Sequence, residues 1–201
     1  MSPLQKIALG LMVVFGSALV PAHPSPAWER YDALPDPLGW VLVVLGAAGL
    51  SRADHAFSTA RLLAVLAGVV SVPMWFPVVQ HRLDDSGAWF LSLPQIAFCL
   101  VLAREIALLA ARQDPQDAYA NRRFGLLVWG FAVVAVLPVL TLGGGLTALR
   151  STTLAVSTLV DVAFVYFLFR VHRRRWLGGP GPLLIEARGP LGERRSRPSS
   201  E

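Results

Sequence analysis

Apolar residues fall into six runs along the chain, and short polar stretches separate these runs. A helix that crosses a bilayer needs roughly 20 apolar residues, although neighbouring helices tolerate shorter ones. The pattern predicts an all-α fold, an integral membrane bundle of six transmembrane helices. The predicted helices cover residues 4–20, 37–50, 59–80, 88–103, 124–146 and 152–169.

The first apolar run has two interpretations. Val20-Pro-Ala22 has the small residues of a signal-peptide cleavage site, and the apolar core before it is short. Lys6, however, provides only a weak positive region, and further apolar runs follow. We therefore favour a retained helix with the mature chain beginning near Met1, and a cleaved signal peptide is the alternative.

The second run starts at a helix-entry motif formed by Asp36, Pro37, Gly39 and Trp40. Pro37 has no N–H to lose in a first helical turn, and Asp36 favours the positive end of the helix dipole. At 1.5 Å per residue the predicted helix is only about 21 Å long. We expect Gly39 to permit close helix contact, and Trp40 to lie with Trp28 and Tyr31 in the headgroup layer.

Small residues in the second and third runs predict where these helices pack closely against their neighbours. In the second run they are Gly39, Gly46 and Gly49, and in the third they recur at four-residue spacing as Ala60, Ala64 and Gly68.

Composition supports a membrane protein. Hydrophobic residues make up 54% of the 201 residues and charged residues only 15%, against about a quarter in soluble domains. We predict one transmembrane domain, residues 1–176, and a disordered cytoplasmic tail, residues 177–201, rich in Gly, Pro, Arg and Ser.

The distribution of basic residues predicts the orientation. If the N-terminus is inside, three arginines fall in outer loops: Arg30, Arg82 and Arg150. The inner side receives the tail and Lys6, Arg52, Arg61, Arg104, Arg112, Arg122 and Arg123. By the positive-inside rule both termini are cytoplasmic, and the arginine-rich composition suggests a bacterial plasma membrane.

Two polar side chains lie inside predicted spans. Asp161 is an ionisable group near mid-membrane, where such groups often mark a pathway, although a carboxyl group can also join helices through hydrogen bonds. Gln95 favours an interhelical hydrogen bond. Counted from the outer helix ends, both lie about 10–14 Å deep, as do Pro73, Pro138 and Gly46. We therefore predict a small polar pocket in this layer around Asp161 and Gln95, with chance alignment as the alternative.

Enzyme, cofactor and metal motifs are not found in the sequence. His81-Arg-Leu-Asp84 has no diagnostic metal spacing, and no nucleophile elbow, phosphate loop or zinc-protease motif occurs. We expect no catalytic residues, no cofactor and no metal. Arg173, Arg174 and Arg175 predict a topology anchor that also attracts anionic lipids, and the tail is too weakly basic to indicate nucleic-acid binding.

The segment Leu34-Pro-Asp-Pro-Leu-Gly-Trp-Val-Leu-Val-Val-Leu-Gly46 resembles small bacterial multispan membrane proteins of unknown function. In them a Leu-Pro-Asp segment, then Gly and an aromatic residue, leads into the second helix. The likeness covers the chain up to about Leu50. It implies the class of protein and supplies no activity.

These features favour a non-enzymatic membrane protein that acts through protein partners or lipids, for instance as an accessory in envelope or division assemblies. The alternative is a small transporter or channel-like subunit with a polar site around Asp161.

Overall fold

The computed structural model describes residues 1–16, 19–21, 30–32, 34–80, 82–145 and 147–181. The helices are α1 Pro3–Phe15, α2 Asp36–Ala53, α3 Ser58–Met74, a single turn α4 Pro77–Gln80, α5 Asp85–Ala111, α6 Ala118–Pro138 and α7 Arg150–Val171. Shorter helical turns are His55–Phe57, Val139–Gly143, Thr147–Leu149 and Arg175–Leu177. Strands β1 Leu19–Pro21 and β2 Arg30–Asp32 form a small antiparallel ribbon between α1 and α2.

The predicted all-α bundle is confirmed. Within the described residues, four helical segments are long and apolar enough to cross a membrane: His55–Met74, Asp85–Ala111, Ala118–Gly143 and Arg150–Val171. The helix α1 is apolar but has only 13 residues. Exposed aliphatic side chains line the outer faces of the long helices, where hydrocarbon would cover them.

Helix boundaries differ from the predicted ones at several places. The second helix is longer than predicted, because the polar turn Ser51–Ala53 continues it to 18 residues. Pro73 ends α3 at Met74, so the predicted helix 59–80 is divided into α3 and α4. In contrast, the helical pattern of Arg104–Arg112 correctly predicts that the helix continues past the fourth apolar run, and α5 reaches Ala111 with 27 residues.

Glycine contacts join α1 to α2. A Cβ atom at Gly39 would lie 2.7 Å from the carbonyl oxygen of Gly10, and one at Gly46 would lie 2.6 Å from that of Pro3. From Gly39 to Gly46 the residue numbers increase, while those of the contacted residues in α1 decrease from 10 to 3, so the two helices are antiparallel. The sequence predicted close contacts at Gly39 and Gly46 but missed Gly10.

Trp40 joins α2 to the centre of the bundle. Its side chain is only 2% exposed, and its ring meets that of Phe98 edge-on with centroids 5.6 Å apart. On α3, Ala60 and Ala64 are buried and Gly68 lies against the Trp40 side chain. The expectation that Trp40 lies in the headgroup layer is therefore wrong. Trp28 lies outside the described residues, and the side chain of Tyr31 is not described.

The six main helices form a closed ring. Each of α1, α2, α3, α5, α6 and α7 packs against the next, and α7 returns to α1. Gly178, just after α7, lies beside Pro3 at the start of α1. Thus the first residues of α1 and the residues that follow α7 lie at the same end of the bundle.

Two ion pairs relate the remaining loops to these ends. Arg174 Nε lies 2.9 Å from Asp117 Oδ2, which places the α5–α6 loop at the end of the bundle that contains Pro3. Arg150 pairs with Asp85 at 3.1 Å, which places the starts of α5 and α7 together at the other end. The structure therefore separates the loops into the two groups that the arginine count predicted, without showing which group is cytoplasmic.

Packed structure continues beyond Trp176, where the transmembrane domain was predicted to end. Leu177 is fully buried, and Arg173 Nε donates a hydrogen bond to the Gly181 carbonyl oxygen at 2.9 Å. From residue 182 onward, the tail that was predicted to be disordered lies outside the described residues.

Candidate intramembrane polar site

Asp161 lies at the middle of α7, about 15 Å from either helix end. Its side chain faces a cavity of about 150 Å³ between α5, α6 and α7, here called the Asp161 cavity. The lining residues combine oxygen-bearing and apolar side chains: Ser92, Gln95, Ile96, Cys99, Phe131, Val134, Ser157 and Asp161. The structure thus brings together Gln95 and Asp161, the two residues that the sequence singled out.

In the described part of the chain, the Asp161 carboxylate interacts electrostatically with the Cys99 thiol of α5, which lines the same cavity. Neither a hydrogen bond nor an ion pair there engages the carboxylate or the side-chain amide of Gln95. Asp161 is half-buried and lines the cavity. An aspartate that joined two helices would hydrogen-bond across them, so the cavity-facing position does not support the helix-joining interpretation.

The polar side chains come from one face of each helix. Ser157 precedes Asp161 by four residues, so both lie on the same face of α7. Ser92 and Gln95 are three residues apart on α5, on either side of Pro94. Ser92 donates its hydroxyl hydrogen to the Trp89 carbonyl oxygen at 2.7 Å, so an oxygen lone pair remains available to the cavity.

A second cavity lies on the other side of Ser92 and Gln95. It has about 140 Å³, here called the Asp36 cavity, and its polar lining includes Asp36 and Ser71. Ser92 and Gln95 line both cavities, which places them between the two. Because Asp36 begins α2 and Ala88 of α5 also lines this cavity, it extends toward the bundle end that contains Asp85.

Other members of the predicted layer are not at this site. Pro73 and Pro138 do not line the Asp161 cavity, and Gly46 packs against α1 instead. Thr158, adjacent to the expected pocket in sequence, is exposed and donates its hydroxyl hydrogen to the Leu154 carbonyl oxygen. Sequence reasoning missed Ser92 and Ser157. Their spacing of three and four residues from Gln95 and Asp161 is a signal for the same helix face, but it fits Thr158 as well.

The helix-entry motif has a mixed role. Asp36 and Pro37 are the first two residues of α2, so Asp36 lies within the helix rather than just before it. Gly39 contacts α1, and Trp40 lines the Asp36 cavity while packing on Phe98. The motif therefore positions α2 and also contributes to the wall of a cavity.

Arginines cluster at the opposite end of the bundle. Arg173, Arg174 and Arg175 follow α7 and line a cavity of about 610 Å³, here called the arginine cavity, together with Arg170 and the α5–α6 loop. No group of three or more His, Cys, Asp or Glu side chains within the described ranges is arranged to hold a metal ion.

No family model matches the chain, and no curated protein or solved structure shows significant similarity to it. The resemblance of the helix-entry segment to small bacterial membrane proteins therefore stays a prediction.

Proposed function

We propose that this chain is a small transporter or channel-like subunit of a bacterial plasma membrane that binds a small cation at Asp161. In this proposal it is a multi-pass protein with both termini in the cytoplasm. The cation is a proton carried by water or a small monovalent metal ion.

The observation that carries the proposal is the position of Asp161. A carboxyl group at mid-membrane depth is costly unless it has polar partners. The described residues provide no hydrogen bond or ion pair to this carboxylate, only the electrostatic interaction with the weakly polar Cys99 thiol, and Asp161 lines a cavity. Water or a cation in that cavity is the partner that the chemistry requires.

The lining limits what the site accepts. Carboxylate, amide and hydroxyl oxygens are ligands that hard cations prefer, whereas no cationic side chain lines the cavity to attract an anion. A volume of about 150 Å³ has room for a few water molecules and excludes large solutes. A small cation fits both limits.

The Asp36 cavity supports access from the end of the bundle that contains Asp85. A cation that enters there passes Asp36 and Ser71 and reaches Gln95, which also borders the Asp161 cavity. Gln95 is neutral and can both donate and accept hydrogen bonds, so it suits a position between two hydrated spaces. By the positive-inside rule, the arginine distribution predicts that this end is the outer one.

Flux through purified protein in liposomes tests the proposal. The protein is reconstituted with an internal pH-sensitive dye and a potassium diffusion potential, and a parallel arm measures uptake of radioactive sodium. We expect wild-type protein to raise cation entry above empty liposomes in one arm. Asp161→Asn keeps the shape of the side chain, removes its charge and should lower entry to the empty-liposome level.

Asp85→Asn is the matched control. Asp85 also lies toward the proposed outer end, but it forms an exposed ion pair, whose loss has a small energetic effect. This variant should conduct like wild type. Equal flux in wild type and Asp161→Asn, or flux no higher than in empty liposomes in both arms, would reject the proposal.

The accessory role in envelope or division assemblies stays a prediction of the sequence. It requires a surface for a protein partner. The exposed apolar side chains instead follow helices of membrane-spanning length, where lipid accounts for them.

A further inference from the structure

The arginine cavity is a pocket with defined walls, and not only a part of a positively charged surface. Its walls come from the α5–α6 loop, Gln113 to Ala118, and from the end of α7, Arg170 to Trp176. Four arginines and two aspartates line it, which gives a net charge of +2. An anion is therefore the ligand that this cavity favours.

Both sides of the cavity are held in place by polar contacts. Asp117 accepts a hydrogen bond from the Ala120 N–H at the start of α6, and it also pairs with Arg174 at 2.9 Å. Arg173 Nε donates to the Gly181 carbonyl oxygen. Arg173 and Arg174 thus already have partners that fix the walls.

Arg170 and Arg175 have no such partner within the described residues. Both are exposed and line the cavity, so their guanidinium groups are available to a ligand. Guanidinium groups bind phosphate oxygens through paired N–H donors. A phosphate group is accordingly the anion that suits these two side chains.

The surface next to Arg170 indicates where the rest of the ligand lies. Leu159, Val162 and Tyr166 are 58–70% exposed and follow one another at helical spacing on the face of α7 that ends at Arg170. Trp176, a residue type common at membrane interfaces, also lines the cavity. An apolar face that leads to a cationic cavity matches a phospholipid and not a free phosphate ion.

We propose that the arginine cavity binds the phosphate of an anionic phospholipid whose acyl chains lie along the Leu159–Tyr166 face of α7. Arg170 and Arg175 contact the phosphate, and Trp176 contacts the headgroup region. The proposal is independent of cation movement at Asp161, because lipid binding is measured without a gradient.

Thermal unfolding of the full-length protein in detergent tests the proposal. Delipidated protein is titrated with short-chain phosphatidylglycerol, with phosphatidylcholine of the same chain length, or with inorganic phosphate. A ligand that binds only the folded state raises the unfolding midpoint. We expect phosphatidylglycerol to raise it at lower concentration than phosphatidylcholine does, and inorganic phosphate to leave it unchanged.

Paired substitutions locate the effect. Arg170→Gln/Arg175→Gln should weaken the apparent affinity for phosphatidylglycerol about tenfold or more, as expected for two interfacial arginines. Arg52→Gln/Arg122→Gln removes two exposed arginines elsewhere and should bind like wild type. Should the first pair lower the yield of folded protein, the single substitution Arg170→Gln at an exposed position gives the same comparison.

Three results would overturn the proposal. Equal weakening by both pairs would show general charge attraction at the membrane surface. An equal response to inorganic phosphate would show a site for free anions. Unchanged affinity in the Arg170→Gln protein, with intact wild-type binding, would place the lipid elsewhere.

Discussion

Asp161 and Gln95 illustrate what one residue can reveal in an apolar chain. A polar side chain within a predicted span is visible in the sequence because its surroundings are apolar, and helix length gives its depth. The direction of a side chain around its helix is harder to predict, since α7 has little contrast between its faces. For this reason Ser157, which lines the cavity, could not be distinguished from Thr158, which does not.

Replacement of Asp161 by an apolar residue of similar size separates a cavity-facing group from one that joins helices. Because the carboxylate forms no hydrogen bond or ion pair in the described residues, we expect Asp161→Leu to leave thermal stability in detergent unchanged or higher. An interhelical hydrogen bond would make the same change destabilising, by about 1–3 kcal/mol. Circular dichroism during heating measures this difference in thermal stability. The control is Leu159→Asp, the opposite substitution, which introduces a carboxylate on the exposed face of α7.

Trp40 shows a limit of residue-type rules. Tryptophan at the start of a membrane helix usually indicates the headgroup layer. Here the small face of α3 leaves a space beside α2, and the indole ring fills it against Phe98. The sequence contained both the small face and the tryptophan, but nothing in it related the one to the other.

Among the helix pairs, α1 and α2 most clearly need glycines where they contact each other, because a side chain there would collide with the other helix. We expect Gly39→Ala to destabilise the protein by about 1–3 kcal/mol, since the added methyl group would meet the Gly10 carbonyl oxygen. Gly125→Ala in α6 is the matched control, because no atom lies within 4 Å of its added Cβ. It should be neutral or stabilising, by up to about 1 kcal/mol.

The unfolding midpoints of the two glycine variants, measured in the same detergent, check this prediction. A Gly39→Ala protein as stable as Gly125→Ala would show that α1 and α2 do not pack through these glycines.

Apolar patterning predicted where these helices occur. The end of α2 was less predictable, because Ser51–Ala53 becomes helical through contacts and capping that a hydropathy pattern does not contain. The pattern of Arg104–Arg112, in contrast, indicated the end of α5.

For the whole molecule, the ring of six helices puts the loops into two groups. The start of α1, the α5–α6 loop and the residues after α7 share one end, and the starts of α5 and α7 share the other. The positive-inside rule predicts which of the two ends faces the cytoplasm. Reporter fusions after Arg112 and after Arg175 should report the cytoplasm, and fusions near Asp84 and Gly145 should report the outside.

Fusion activity at these four points checks the orientation directly. Readouts reversed at all four points would keep the loop grouping and reject the arginine-based direction. A reversal at Arg175 alone would contradict the grouping, because Gly178 lies beside Pro3 in the structure.

Water access to the Asp161 cavity is the central claim, and cysteine labelling measures it most directly. Gln95→Cys, Ser157→Cys and Asp161→Cys are made in a Cys99→Ala background and treated in intact cells with a membrane-impermeant polar thiol reagent. Ser86→Cys, at an exposed position near the start of α5, is the reactive control, and Thr158→Cys, on the exposed outer face, is the unreactive one.

We predict labelling at residues 95, 157 and 161, with position 95 fastest because it also borders the Asp36 cavity. If these three positions resist the reagent while Ser86→Cys reacts, the cavity is closed to outside water. That result would contradict the proposed path to Asp161.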